Sequence, residues 1–166
     1  MQGTFNLTAP FYTQGNFSAT LYQGQGYADA FGIALKGTDV YVAGYIPGLG
    51  LTVANAVYWK NGTPVKLAAD SLNTLAYAIT LQGSDVFVAG YTAAATGHAT
   101  VATYWKNGLS TTISTGANFK AISVSGSDIY LAGQNSAGYA AYWINGVVAK
   151  LAGKGSSANG IALISK

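Results

Sequence analysis

The chain has 166 residues, half of them apolar, 8% charged and 22 glycine, a composition that excludes a disordered polar chain and suits one domain with a buried core. The formal net charge is +3, but all eight positive residues are scattered lysines without any arginine, which disfavours a nucleic-acid partner. Cysteine is absent, so disulfides and thiolate metal sites are excluded, and no apolar run reaches the length of a membrane-spanning helix.

The first predicted elements are short strands. Residues 2–9, QGTFNLTA, have the β-branched and aromatic content of a strand. Pro10 ends this strand because proline cannot donate a hydrogen bond to a sheet. Residues 10–15, PFYTQG, and residues 17–23, FSATLYQ, align with the last two strands of the repeats described next. We therefore predict an N-terminal strand followed by a hairpin.

Three stretches then align without gaps: GIALKGTDVYVAGY (32–45), AITLQGSDVFVAGY (78–91) and AISVSGSDIYLAGQ (121–134). Each is followed by a variable loop, a Y-W-(K/I)-N-G motif and a short apolar run, with a period of about 40 to 46 residues, in the range of propeller blades. Partial alternation and β-branched residues predict four antiparallel strands per repeat. The Gly-(Thr/Ser)-Asp and Asn-Gly sequences predict tight turns.

The motif Y-W places two aromatic side chains on opposite faces of its strand. For Trp59, Trp105 and Trp143 we favour packing between neighbouring sheets. The alternative is an exposed platform for sugar rings. At the C-terminus, GIALISK (160–166) repeats the first strand of a fourth unit.

The D-V-Y-V-A-G and Y-W-K-N-G repeats resemble those of β-propeller proteins with short four-stranded blades, of bacterial or archaeal extracellular type. The resemblance covers about Phe11 to Ile164. It implies an all-β, four-bladed propeller of antiparallel blades, with one blade split between the termini, and an extracellular or cell-surface location. The implied single domain, 1–166, has full blades at 25–70, 71–115 and 116–155, a split blade at 10–24 and 156–166, and an exchanged strand at 1–9.

The predicted split blade lacks one strand, between GIALISK and PFYTQG. Two facing edges without a partner are a template for another chain. Residues 2–9 fill this gap either in their own subunit or in a neighbouring one, by strand addition. The predicted partner is therefore another copy of the chain, in an oligomer or a polymer. The predicted assembly residues are Thr4, Phe5, Asn6, Leu7, Thr8, Gly160, Ile161, Ala162, Leu163 and Ile164.

Candidate catalytic residues are few. His98 is the single histidine, and there is no glutamate. Asp39, Asp85 and Asp128 occupy one turn position in successive repeats, so turn hydrogen bonding accounts for them. The remaining acids, Asp29 and Asp70, do not make a convincing carboxylate pair. We predict a protein that is not an enzyme and that needs neither a cofactor nor a metal.

Two functions fit these features. The first is an extracellular structural subunit that assembles with itself, as a filament if strand exchange propagates. The alternative is a lectin-like propeller module that binds a glycan with aromatic side chains. A third arrangement makes the chain half of a larger propeller of about eight blades, formed by two copies.

Overall fold

A computed structural model describes residues 9–15, 17–69, 73–93 and 99–164. This part contains fourteen strands and one 3-10 turn, at Leu49–Leu51. The strands are β1 (Phe11–Gln14), β2 (Phe17–Thr20), β3 (Asp29–Lys36), β4 (Asp39–Pro47), β5 (Ala54–Lys60), β6 (Thr63–Lys66), β7 (Thr74–Gln82), β8 (Asp85–Ala93), β9 (Thr100–Lys106), β10 (Leu109–Thr115), β11 (Asn118–Ser125), β12 (Asp128–Gln134), β13 (Tyr139–Ile144) and β14 (Val147–Lys154).

The strands pair in chain order and antiparallel. Strands β1 and β2 form a two-stranded sheet, the N-terminal ribbon. Three four-stranded sheets follow: the first sheet (β3 to β6), the second sheet (β7 to β10) and the third sheet (β11 to β14). The prediction of an all-β chain with one four-stranded antiparallel unit per repeat is confirmed. Among the described residues, no helix has the length and apolar character needed to cross a membrane.

The turns at one end of the sheets, which we call the turn end, are bonded to each other by side chains. The asparagine of each Asn-Gly turn has a φ of 50° or 51°, as the motif predicts for a two-residue hairpin. Its Nδ2 donates to the aspartate of the neighbouring turn, at 2.8 Å in all three sheets. These turn clamps are Asp39 with Asn61, Asp85 with Asn107 and Asp128 with Asn145.

Lysines strengthen two of the turn clamps. The Nζ of Lys60 lies 3.1 Å from Oδ2 of Asp39, and the Nζ of Lys106 lies 2.8 Å from Oδ2 of Asp85. In the third sheet, Ile144 occupies the position of the lysine. The hydrogen bond from Asn61 and then Lys60 lower the pKa of Asp39. Lys106 and then Asn107 lower the pKa of Asp85. The repeated aspartate therefore joins two turns rather than closing its own.

Tryptophans fill the centre of the four-stranded sheets. The exposed fraction is 0% for Trp59, 0% for Trp105 and 2% for Trp143, and each lies opposite an aliphatic residue of the preceding strand. The three positions are equivalent, as the repeat alignment predicts. Truncating a tryptophan buried in this way costs about 3 to 5 kcal/mol.

The Tyr-Trp pair of the second sheet contacts two different neighbours. Trp105 belongs to the apolar cluster between the first and second sheets, which includes Tyr41. Tyr104 packs on the cluster between the second and third sheets, which includes Leu131. The N-terminal ribbon packs on the other face of the first sheet, where Tyr12 contacts the cluster of Trp59. Both faces of a sheet are apolar, so each sheet needs a neighbour on each side.

The first strands of the sheets lie side by side, with β7 between β3 and β11. A Cβ at Gly32 of β3 would lie 2.9 Å from the carbonyl oxygen of Tyr77 of β7. Glycine at this position allows the two backbones to approach closely.

The C-terminal segment differs from its prediction. Residues 156–164 follow β14 without forming a strand, although GIALISK repeats the sequence of a first strand. Gly160, Leu163 and Ile164 are exposed, and Ile161 is half-buried. A strand exists only through repeated backbone pairing. Among the described residues, the backbone of this segment makes one hydrogen bond to a strand, from the N–H of Ala158 to the carbonyl oxygen of Gly133 at 3.0 Å, which does not form a ladder.

We expect Lys106→Met to raise the pKa of Asp85 toward its ordinary value, because the lysine is the main cause of the lowering. Lys60→Met is the matched control. It should raise the pKa of Asp39 less, since the hydrogen bond from Asn61 is the main cause there. Carbon-detected NMR titration of the side-chain carboxyl groups measures both values.

The same shifts fix the sign of the pH dependence. A folded pKa below the unfolded one means that the carboxylates contribute their full stabilisation above the unfolded pKa. This contribution is lost as the pH falls through the lowered folded pKa. An Asp85 pKa that is unchanged in the Lys106→Met variant would contradict this account of the turn clamp.

Candidate functional site

The first strand of each four-stranded sheet carries one extra residue. The pairing of β3 with β4 skips Phe31, that of β7 with β8 skips Tyr77, and that of β11 with β12 skips Lys120. Such a β-bulge leaves one residue outside the ladder and redirects its side chain. We call Phe31, Tyr77 and Lys120, which occupy one position in successive repeats, the bulge row.

A glycine in the second strand makes each bulge possible. A Cβ at this glycine would overlap the carbonyl oxygen of the residue two positions before the bulged one. The overlaps would join Gly44 with Asp29, Gly90 with Leu75, and Gly133 with Asn118. Any side chain would push the bulged backbone away. The glycine of the D-V-Y-V-A-G motif therefore encodes the bulge of the strand opposite.

The bulge row forms a continuous line of side chains across the three sheets. The ring centroids of Phe31 and Tyr77 are 5.2 Å apart, and the rings are tilted. The Nζ of Lys120 lies 3.3 Å from the centroid of the Tyr77 ring, which is a cation–π contact. Three sheets thus contribute one side chain each to a single surface.

A second set of side chains flanks the bulge row at the ends of the second strands. Tyr45 lies 6.1 Å from Phe31, and Tyr91 lies 6.1 Å from Tyr77, both measured between ring centroids. The Tyr45 hydroxyl donates to Oδ2 of Asp29 at 3.2 Å. These residues lie at the loop end of the sheets, opposite the turn end, where the second strands lead into variable loops.

Burial raises the pKa of the tyrosines of this surface above the ordinary value, at which a tyrosine is already protonated at neutral pH. It is the main cause that raises the pKa of Tyr45, Tyr77 and Tyr91; the negative charge of Asp29 adds to the effect on Tyr45, and Tyr77 adds to the effect on Tyr91. Their hydroxyl groups can therefore donate hydrogen bonds at neutral pH. The surface combines aromatic faces with hydroxyl donors.

Lys120 is the cation of this surface. Burial lowers its pKa, because a partly dehydrated ammonium group is disfavoured. The Tyr77 ring favours the charged form of Lys120, since the face of an aromatic ring attracts a cation. Within the described residues, no carboxylate forms an ion pair with Lys120. Its positive charge is therefore matched by a ring and not by an anion.

The predicted site residues lie in the core, at the surface or outside the described residues. Trp59, Trp105 and Trp143 are buried, so their rings offer no face on which a sugar could stack. Thr4 to Thr8, Asp70 and His98 lie outside the described residues. Gly160 to Ile164 lie at the surface, as described above.

The N-terminal ribbon and the first sheet enclose a groove of about 360 Å³, which we call the open slot. Its walls come from β1, with Phe11, Tyr12 and Thr13, and from the start of β3, with Ala30 to Ile33. Along β3, Ile33 is 57% exposed and Leu35 is 61% exposed. The equivalent residue to Ile33 in the second sheet, Ile79, is only 8% exposed. Part of one apolar strand face is thus exposed in the first sheet and buried in the second.

A second groove, at the turn end, offers a ligand no unpaired charged group among the described residues that line it. It lies between the second and third sheets, and its charged residues, Asp85 and Lys106, already pair with each other. Among the residues that the structure describes, no three histidine or acidic side chains cluster as metal ligands do.

Sequence reasoning missed the bulge row. The repeat alignment began at Gly32, Ala78 and Ala121, one residue after each bulged position. Extending it by one residue would have aligned Phe31, Tyr77 and Lys120. The glycine that ends V-A-G was a second signal, because a glycine inside a strand often marks a bulge.

We expect Gly90→Ala to destabilise the protein by about 1 to 3 kcal/mol, since the new Cβ overlaps the Leu75 carbonyl oxygen and forces the backbone apart. The NMR signals of the Tyr77 ring should shift as the bulge rearranges. Gly153→Ala is the control, because that glycine has open space around its Cβ position. It should change the stability by less than about 0.5 kcal/mol. Equal urea midpoints for the two variants would show that the glycine does not hold the bulge.

No known protein-family model matches this chain, and the search of curated proteins finds no significant relative.

Proposed function

We propose that this protein is a non-catalytic structural subunit, extracellular or on the cell surface, that assembles with copies of itself by exchanging a β-strand. The observation that carries the proposal is the open slot. Its walls are an apolar face of β3 and the strand β1, which within the described residues pairs only with β2. A strand edge beside an exposed apolar strand face favours an added strand.

The arrangement of the sheets supports a four-bladed propeller. Three sheets of the same order stack face to face with their first strands side by side. In this interpretation the N-terminal ribbon supplies the two outer strands of the fourth blade. The open slot is the place of its two inner strands.

The C-terminal segment contacts the third sheet in the same way that the start of β7 contacts the first sheet. Thr74 Oγ1 accepts a hydrogen bond from the backbone N–H of Ala56 at 2.8 Å. Ser156 Oγ accepts one from the backbone N–H of Ala140 at 3.0 Å. Ala56 and Ala140 are equivalent in the Y-W motifs, and Thr74, the first residue of β7, is equivalent to Ser156 in the repeat alignment. This repeated contact supports residues 160–164 as the innermost strand of the fourth blade.

One strand is then still missing between residues 160–164 and β1, and we assign it to residues 4–8 of a neighbouring copy. In the first and third repeats the second and third strands are joined by residues 48–53 and 135–138. Between residue 8 and β1 there are only Ala9 and Pro10. Because Pro10 has a fixed negative φ, this two-residue link cannot form the type I′ turn of the Asn-Gly hairpins, so exchange with a neighbour is favoured over pairing within one subunit. A head-to-tail exchange extends into a filament unless its rotation closes a ring.

Burial of the three tryptophans excludes the aromatic platform that the lectin-like alternative predicted. The bulge row offers other aromatic side chains to a glycan. The larger ring made of two copies also covers the open slot. It buries the same residues without exchange of the N-terminal strand, so the experiment below separates the two arrangements.

We expect deletion of residues 1–9 to give folded monomers that no longer polymerise, because the strand that fills the slot is removed. Size-exclusion chromatography with light scattering and negative-stain microscopy measure assembly, and circular dichroism checks the fold. A synthetic QGTFNLTA peptide should bind these monomers and block their assembly with the full-length chain. Truncated protein that assembles like the full-length chain, or a full-length chain that is monomeric, would exclude strand exchange.

A surface substitution on the exposed apolar face of β3, next to the slot, tests the assembly without deletion. Leu35→Ser should weaken assembly and leave the monomer folded, since Leu35 is already exposed in the isolated chain. Leu109→Ser is the matched control, because Leu109 is 78% exposed on β10, away from the slot. Assembly that responds equally to both substitutions would contradict the assignment of the slot.

A further inference from the structure

The bulge row has the composition of a ligand-binding surface at the loop end. Phe31 is 48% exposed, and its ring lies beside the rings of Tyr45 and Tyr77. Exposed aromatic side chains with a few convergent polar groups are typical of small-molecule sites. The turn end of the same sheets differs, because its carboxylates are occupied by the turn clamps.

The groups at the first-sheet end of the bulge row match the two kinds of surface that a sugar ring presents. The aromatic face of Phe31 suits the apolar C–H face of a pyranose. The Asp29 carboxylate and the Tyr45 hydroxyl, 3.2 Å apart, form a polar pair next to it. A carboxylate accepts hydrogen bonds from sugar hydroxyl groups, and a protonated tyrosine can donate or accept.

Lys120, at the other end of the bulge row, favours a ligand with a negative charge. Its ammonium group is partly dehydrated, contacts the Tyr77 ring, and has no carboxylate partner in the described part of the chain. A ligand carboxylate at this position would supply the missing counter-charge through a charge-assisted hydrogen bond. Asp29 and Lys120 therefore orient a ligand, with hydroxyl groups toward the first sheet and its anionic group toward the third.

We propose that the bulge row binds a saccharide whose pyranose ring carries a carboxylate, such as a uronic acid unit. Phe31 stacks on the ring, Asp29 and Tyr45 bind its hydroxyl groups, and Lys120 binds the carboxylate. Phe31 also lines the open slot, whereas Asp29, Tyr45 and Lys120 do not, so three of the four binding groups lie outside the surface used in assembly. The binding uses side chains of one subunit.

The test compares two trisaccharides that differ only in charge: a galacturonic acid trimer and its methyl ester. By isothermal titration calorimetry, the full-length chain should bind the acid about tenfold more tightly than the ester, which corresponds to about 1.4 kcal/mol. The preference should shrink as salt is added, because the ammonium–carboxylate attraction is screened. If the full-length chain binds neither trisaccharide, or binds both with equal affinity, the proposal is wrong.

Variants assign the roles of the residues. Lys120→Met should reduce the preference for the acid to less than about threefold, since a single charged hydrogen bond is removed. Phe31→Ala should abolish the binding of both trisaccharides. Lys106→Met is the matched control, because that lysine also lies over an aromatic ring, Phe87 at 5.3 Å, but at the turn end. An acid preference that survives Lys120→Met, or that Lys106→Met removes equally, would place the site elsewhere.

A measurement on the unmodified chain covers the case in which a variant fails to fold. Adding the acid trimer should shift the NMR signals of the Phe31 and Tyr77 rings and leave those of the buried Trp59 ring unchanged. Shifts at the turn end instead would contradict the assignment. The Leu35→Ser variant should bind as the unmodified chain does, which keeps failure of the ligand site distinct from failure of assembly.

Discussion

The structure depends on one constraint: each four-stranded sheet is apolar on both faces. The Y-W motif places a tryptophan on one face and a tyrosine on the other, so burial of both requires a sheet on each side. The second sheet meets this requirement, with Trp105 toward the first sheet and Tyr104 toward the third. The first sheet meets it only in part, because the ribbon covers Trp59 but leaves Ile33 and Leu35 exposed. The proposed assembly completes this burial.

A second constraint acts on the backbone and creates the surface at the loop end. The glycine near the end of each second strand admits a carbonyl oxygen where a Cβ would otherwise be, and this close contact accommodates the extra residue of the first strand. The bulged side chains leave the alternation of the strand and meet across neighbouring sheets. Phe31, Tyr77 and Lys120 thus contact each other although 46 and 43 residues separate them in sequence.

The two ends of the sheets are chemically distinct. At the turn end, aspartate, asparagine and lysine neutralise one another, and the resulting clamps join the turns of each sheet. At the loop end, tyrosine hydroxyls, Asp29 and the ammonium group of Lys120 are grouped around the exposed ring of Phe31 and the half-buried ring of Tyr77. The charged groups of the first end are thus already paired with one another. The second end carries the groups that remain available to a ligand.

The sequence by itself determined the local structure: the strands, the Asn-Gly turns and the equivalence of Trp59, Trp105 and Trp143. These features follow from alternation, turn chemistry and repetition, which act over a few residues. Only the tertiary structure decided that Asp39 bonds to Asn61 of another turn and that the bulged residues share one surface. It also decided that residues 160–164 form no strand in the described chain. Each of these depends on distances between segments far apart in sequence, and strand pairing exists only where a second edge is present.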